Sequence, residues 1–427
     1  MWKLTNVLFD FTEYLKNFSL ESSNQSNLDH FLNLHKQRIT LVEEFFVSNI
    51  PVKKYINEFW TSKQRQASSL HEISYRACFK PQLPRFFISL LTQPQDVVYD
   101  PFAGRGTTIL EAALLNRNVI ANDINPLSKI LIEPRLVPPD LQSIKERLKE
   151  IPFDYSLKAD IDLSMFYERN TEAEIVSLKN YLQKKVESES ESNIDKWIRM
   201  IATNRLTGHS RGFFSVYTLP PNQAVSPESQ IKINKKKNQE PEYRNVKEII
   251  LTKTASLLKD ITETIRTSLR IIGNKAKYFT CDARYMAEIE NESVKLTVTS
   301  PPFLNVVQYS KDNWLRCWFN AIDVETVSQR ITMAKKIEQW VEVMNDVFKQ
   351  LYRITEKKGW VAFEVGEIMN GKVKLEEFVI PIGLKNGFEC FGVLINDQEF
   401  TKTSNIWGIN NNTKGTNTNR VVIFNKK

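Results

Sequence analysis

Apolar and polar positions change rhythm along the chain, and each change marks a segment. Over residues 1–70 the apolar positions of LDHFLNLHKQRITLVEEFF recur at helical spacing and glycine is absent, which predicts a helical N-terminal segment. Residues 71–140 alternate short apolar runs with helix formers. DVVYD (96–100) predicts a strand, TTILEAALLNR (107–117) a helix and NVIANDI (118–124) a second strand, and EPRLVPPD (133–140) closes the unit. From 141 to 274 the chain is helical and charged, and its acidic serine run ESESESN (187–193) reads as a solvated linker. Alternation resumes at 275, with KYFTCD, SVKLTVTS, GWVAFEVG, FECFGVLI and NRVVIFN (419–425) as strands. The pattern predicts an α/β fold with a doubly wound, mostly parallel sheet formed by 71–140 and 275–427, interrupted by an insert at 141–274.

Composition narrows the class. In 427 residues, 41% are hydrophobic and 25% charged, which excludes a disordered chain, a collagen and a disulfide-stapled miniprotein. Cys78, Cys281, Cys317 and Cys390 lie far apart without a CxxC pair, and the 4 histidines are scattered, so no metal is expected and a reducing setting fits. No run approaches the length of a membrane span, and MWKLTNVLFDFTEYL carries acids where a signal peptide needs a basic and then apolar run. A cytoplasmic protein with no membrane partner is the expectation. The net charge of +8 permits a phosphate-rich partner without establishing one.

Only two glycines occur in the first 200 residues, Gly104 and Gly106, both in one loop. The loop follows a strand ending at Asp100 and precedes a helix starting at Thr107, and the next strand ends near Asp123, 17 residues after Gly106. Such a unit brings backbone N–H groups close to a nucleotide-like ligand, and an acid at the second strand tip accepts from ribose hydroxyls. A plain strand–helix turn is the alternative. Position 109 is isoleucine, so GxGxxG is incomplete and a dinucleotide is disfavoured. A second constellation is CDARYMAEIENESVKLTVTSPPF (281–303), where the strand SVKLTVT runs into Ser300-Pro301-Pro302-Phe303. Two prolines force the backbone out of the sheet at its carboxyl edge, where ligands bind; a strand terminator with a core phenylalanine is the alternative.

DPFAGRGTT resembles the FxGxG motif of S-adenosylmethionine-dependent amino-methyltransferases acting on DNA, and SPPF resembles their catalytic motif. The resemblance covers 71–140 and 275–427 and implies a seven-stranded-type methyltransferase sheet. It implies that Asp100 faces the methionine amino group of S-adenosylmethionine, that Phe102, Gly104 and Gly106 wrap the cofactor, and that Thr107 and Thr108 sit near its carboxylate. Asp123 would hold the ribose and Asp282 would lie near the adenine. HEISYRACFKPQLPRFFI (71–88) is similar to the segment preceding FxGxG, which carries Tyr75, Lys80 and Pro81 into the cofactor set; an ordinary solvated lysine is the alternative for Lys80.

In that family the chemistry is methyl transfer to an exocyclic amino group, whose lone pair is delocalised into the base. Ser300 and proline-freed carbonyls of Pro301 and Pro302 would accept from its N–H groups, and Phe303 would stack a flipped base. A serine at the first motif position most often marks cytosine N4, so the resemblance implies N4-cytosine methylation of double-stranded DNA with a flipped base, by the modification enzyme of a restriction–modification system. A cognate restriction endonuclease would be a partner. Adenine N6, an RNA amino-methyltransferase and a non-catalytic nucleic-acid-binding protein on the same fold remain alternatives. The insert 141–274 would recognise the target: His209 and Arg211 could read a base edge or a phosphate, and Lys232, Lys235, Lys236, Lys237 and Arg244 could contact phosphates, although such a run also reads as a solvated loop.

Overall fold

The computed structural model describes residues 10–18, 39–60, 67–76, 78–220, 223–302, 312–330, 336–368, 373–397 and 418–427. Its strands run in chain order β1 (Leu41–Val47), β2 (Ile50–Asn57), β3 (Val97–Asp100), β4 (Asn118–Asn122), β5 (Lys277–Phe279) and β6 (Val294–Thr299). They continue as β7 (Thr355–Val365), β8 (Glu367–Ile368), β9 (Val373–Lys374), β10 (Glu389–Asp397) and β11 (Thr418–Asn425). Nine of them form one sheet in the order β1-β2-β10-β11-β7-β6-β3-β4-β5. The five strands from β5 to β7 are mutually parallel, and β11 runs antiparallel between β7 and β10. Seven strands with one reversed member make this an α/β methyltransferase fold, to which β1 and β2 are an addition.

The apolar strands are covered on both faces, as parallel strands without a wet side must be. Val98, Val119, Leu296 and Val298 pack into one core, and Tyr99, Ile120, Val361 and Phe363 into the other. Each fully buried side chain of this size contributes about 1.5–3 kcal/mol. β3 and β6 are hydrogen-bonded neighbours, with Val98 opposite Leu296 and Tyr99 opposite Thr297. From β3 the chain winds outward through β4 and β5, and from β6 in the opposite direction to β7. The carboxyl ends of β3 and β6 therefore flank a topological switch point, where an open α/β sheet has its crevice. Asp100 and Ser300 stand at those two ends.

The described residues of 1–70 differ from the predicted helical segment, and residues 28–38 of its apolar pattern lie outside them. A short helix exists at Phe11–Lys16, but Leu41–Asn57 is a β-hairpin whose second strand pairs in parallel with β10. Ser48 and Asn49 at its tip have φ of 49° and 67°, the left-handed pair that a two-residue hairpin turn demands. The helical rhythm misled because β1 is an edge strand with a largely exposed side-chain pattern, leaving no inward alternation to read.

The acidic serine run is a helix–helix junction, not a linker. Ser192 caps the helix Asn193–Arg205 in a reciprocal box with Asp195, and Glu191 pairs with Arg199 at 2.6 Å. The insert is joined to the sheet-bearing part by packing. Lys196 pairs with Glu133, and the Asn204 amide bonds both the carbonyl and the N–H of Ser74; within the insert, the fully buried Trp197 donates to Thr254.

Candidate cofactor and catalytic site

The Gly loop is shaped by neighbours as much as by ligand demand. Gly104 and Gly106 have φ of 50° and 76°, a region that side chains disfavour. A Cβ on Gly104 would meet Tyr75 at 3.7 Å and the Phe102 carbonyl at 4.0 Å, both ordinary contacts, whereas one on Gly106 would fall inside the Ile132 side chain. Gly104 therefore leaves room for a ligand, and Gly106 lets the loop lie against the helix Leu127–Leu136.

Residues 70–75 are held over this loop by two arginines. Arg105 donates to the carbonyls of His71 and Ile73, while Arg135, itself fully buried, donates to those of Leu70, Leu131 and Arg105. His71 bonds Glu111 at 2.7 Å on the helix that follows the loop. These contacts place Tyr75 beside Gly104.

One cleft, partly open to solvent, runs along the carboxyl edge of β3, β4 and β6. Its lining includes Tyr75, Asp100, Phe102, Gly104, Thr107, Asp123, Asp282, Ser300 and Pro302. The residues read from the two separate motifs thus face one space. The helix Thr107–Leu114 opens on it without a side-chain cap, so its first N–H groups are available to an anion.

Other expected residues are elsewhere. Gly106, Thr108, Lys80, Pro81 and Pro301 do not line the cleft. Thr108 donates to the Val298 carbonyl at 3.0 Å, bracing its helix against β6. Lys80 is exposed and Pro81 caps the helix Gln82–Leu91. The Pro302 carbonyl already accepts from the Trp340 indole N–H at 3.0 Å, which leaves one lone pair for another donor. Phe303 lies outside the described residues.

The acids of the cleft carry distinct tasks. Asp100 is buried, accepts from Thr299 at 2.6 Å and from the Phe102 N–H at 3.1 Å, and burial pushes it up to about 7 against those bonds. Asp123 is pushed up to about 6 by burial, and its two oxygens accept from the N–H groups of Gly104 at 2.8 Å and Asn125 at 2.9 Å. It therefore ties the Gly loop to β4. Asp282 is held by Arg284 at 2.6 Å. Ser300 bonds the buried carboxyl of Glu364 on β7.

Sequence reading missed Phe79, Asn125, Arg330, Trp340 and Met344, which also line the cleft. Trp340 and Met344 belong to the amphipathic helix Ile337–Ile354, whose inward stripe is indistinguishable from core by pattern. Cys78 and Cys281 line it too, and burial raises both thiols, the wrong direction for a thiolate nucleophile.

In the insert, His209 and Arg211 lie on an exposed turn. Arg244 is not a free phosphate ligand: it is nearly buried and donates to the carbonyls of Ser210 and Phe213, holding that turn. Lys232, Lys235, Lys236 and Lys237 are exposed on the helix Pro227–Lys237, with Lys237 over the Tyr217 ring. Among the described residues there is no His, Cys, Asp or Glu group that could hold a metal, and no helix long and apolar enough to cross a membrane.

Comparison with known proteins agrees with this geometry. Residues 12–132 match the N6/N4-type family described as DNA methylase. The type II methyltransferase M.MjaII of Methanocaldococcus jannaschii is 31% identical over 91 residues, 21% of this chain and 17% of that protein. M.BsoBI of Geobacillus stearothermophilus is 32% identical over 124 residues, 28% of this chain and 23% of its own length. A tRNA (guanine(10)-N2)-dimethyltransferase of M. jannaschii is 28% identical over 131 residues, 27% of this chain and 35% of that protein. The matches thus span about a third or less of these relatives.

The fold and this match relate the chain to S-adenosylmethionine-dependent DNA amino-methyltransferases. S-adenosylmethionine is the cofactor they imply, and the cleft fits it. An open space over Gly104, an uncapped helix start for a carboxylate, and acids at both ends for an ammonium group and ribose hydroxyls are all present.

Asp100, if it faces the ammonium group of the cofactor, would make cofactor affinity pH-dependent. The free protein holds a proton there below about 7, and a bound cation favours the carboxylate, so binding below that pH releases the proton. Affinity should rise up to tenfold per pH unit from about 5.5 to 7 and level off before the cofactor's own amine deprotonates near 8. The same raised Asp100 and Asp123 make the unliganded fold lose stability as pH climbs from about 4 through 7, because the folded state holds those protons more tightly than the unfolded chain. Calorimetric titration across that range checks the first statement, and a flat affinity would separate Asp100 from the cofactor.

Proposed function

We propose that the protein transfers the methyl group of S-adenosylmethionine to the exocyclic N4 amino group of cytosine in double-stranded DNA, as the modification enzyme of a restriction–modification system. The observation that carries this reading is that the Gly loop and the Ser300 turn line one cleft. The transferable methyl supplied there needs only an oriented nucleophile, and positioning is the main contribution required of the protein. Ser300 offers a short polar acceptor at the position where many adenine enzymes carry Asp or Asn, and a cytosine amino group on its smaller ring can still approach it. The exposed lysines of the helix Pro227–Lys237 would contact phosphates of the duplex.

Adenine N6 in DNA is the nearest second reading, because the matching family includes both chemistries. The similarity to a tRNA methyltransferase favours an RNA amino group as a third. Sequencing DNA from cells that express the protein, with a method that detects modified bases, tests the proposal. The expected result is a short recurring motif bearing a methylated cytosine. Modified adenine overturns the base assignment, and unmodified DNA overturns the substrate.

A further inference from the structure

Glu364 lies at the penultimate position of β7, buried between β6 and β11. Its carboxyl group accepts from the Asn419 side-chain amide at 2.5 Å and from the Ser300 hydroxyl. Among the described residues no lysine or arginine pairs with it. Arg420, next along β11, engages Glu376 at 2.9 Å, and Asp100 stands beyond β6 on β3. The helix Ile337–Ile354 sets Met344, Val347 and Phe348 against the other face of the sheet. A buried carboxylate without a countercharge costs several kcal/mol. A glutamine would fill the same space without that cost, so an acid here has a use beyond packing.

We infer that Glu364 is a positioning residue that orients the Ser300 hydroxyl as an acceptor toward the target amino group and takes up the proton that this group releases. The inference rests on the methyltransferase reading above. When the Ser300 O–H donates to Glu364, the serine lone pairs are left for an N–H from the cleft. In the transfer, the bond from the amino nitrogen to the methyl carbon forms as the bond from methyl carbon to sulfur breaks, with its electron pair staying on sulfur. The nitrogen then carries one proton in excess. That proton passes to Ser300 Oγ as the serine's own proton passes to the Glu364 carboxylate, which later returns it to water.

Glu364 must start ionised, so the rate should rise with pH. Burial pushes its carboxyl up to about 7, with the Asn419 and Ser300 bonds opposing, which puts the rise near neutrality. Asp100 titrates in the same range but acts on cofactor binding, so the rate is read in single turnovers at saturating cofactor.

The test compares wild type with Glu364→Gln and Asn419→Ala. Glu364→Gln should bind cofactor as wild type does, transfer methyl about 10²-fold more slowly and lose the rise between about pH 6 and 8. Asn419→Ala removes a bond to the ionised form and should move the midpoint to higher pH. Infrared difference spectra of the free protein should show, beside the band of Asp100, a second protonated-carboxyl band that titrates near 7 and is missing from Glu364→Gln, a readout independent of turnover. Wild-type rate and pH profile in Glu364→Gln, or no such band, overturn the inference. If Glu364→Gln fails to fold, an unshifted profile in Asn419→Ala overturns it. A wild type that moves no methyl to DNA overturns the proposed function and this inference together, whereas an active wild type matched by Glu364→Gln overturns this inference alone.

Discussion

Gly106→Ala should cost the fold about 2–5 kcal/mol, while Gly104→Ala, in the same loop, should cost only about 1–2. Both residues sit at positive φ, which for an alanine costs about 1–2 kcal/mol. At Gly104 nothing more is added, because the new methyl meets Tyr75 and the Phe102 carbonyl at ordinary contact distance. At Gly106 the methyl would lie inside the Ile132 side chain and 2.8 Å from its Cδ1, and overpacking of this kind adds about 1–3 kcal/mol. Typical domains are stable by only about 5–15 kcal/mol, so Gly106→Ala should unfold at markedly lower urea. Ile132→Ala should cost less in the Gly106→Ala background than alone, since the two positions share the clash. Urea midpoints for wild type, the single variants and the double variant check this. Equal losses at both glycines would contradict the division of labour between them, in which Gly104 serves the cleft and Gly106 serves packing.

Ser300→Ala should slow methyl transfer about 10²–10³-fold, the usual effect of removing one hydrogen-bonding group aimed at a developing charge. The cofactor end of the cleft is built by Asp100, Gly104 and Asp123 on other strands, so cofactor affinity should stay within about twofold. The loss should therefore fall on the chemical step, seen as a lower kcat in labelled-methyl assays with the cofactor Kd unchanged. Truncation also strips the Glu364 carboxyl of one of its two hydrogen bonds, so the variant should lose a little stability as well. Transfer at the wild-type rate would remove Ser300 from the chemistry.

Both halves of the site were legible because each is a local device. A strand, a glycine turn and a helix, or a strand stopped by two prolines, leave marks within ten residues. What joins them is the pairing of β3 with β6 across an intervening stretch that includes the whole insert, and no local pattern records it. That Gly106 and Thr108 pack against neighbours and do not line the cleft was hidden for a related reason. A glycine beside a ligand and a glycine beside Ile132 look alike until the helix Leu127–Leu136 is in place, and a threonine at a helix start points to solvent, ligand or strand with no change in sequence. Glu364 was invisible because a single acid in GWVAFEVGE reads as the exposed side of an edge strand, whereas β7 lies in the interior of the sheet. The hairpin at Leu41–Asn57 failed differently: its exposed edge strand has no buried face to impose an alternation.

The most direct test is to incubate the purified protein with methyl-labelled S-adenosylmethionine and either mixed-sequence genomic DNA or total RNA, digest each to nucleosides and weigh the products by mass spectrometry. The expected result is label in DNA alone, on deoxycytidine at N4. Label on deoxyadenosine would contradict the cytosine assignment, label on RNA nucleosides alone would contradict DNA as the substrate, and no transfer by a protein that binds the cofactor would contradict the enzyme itself.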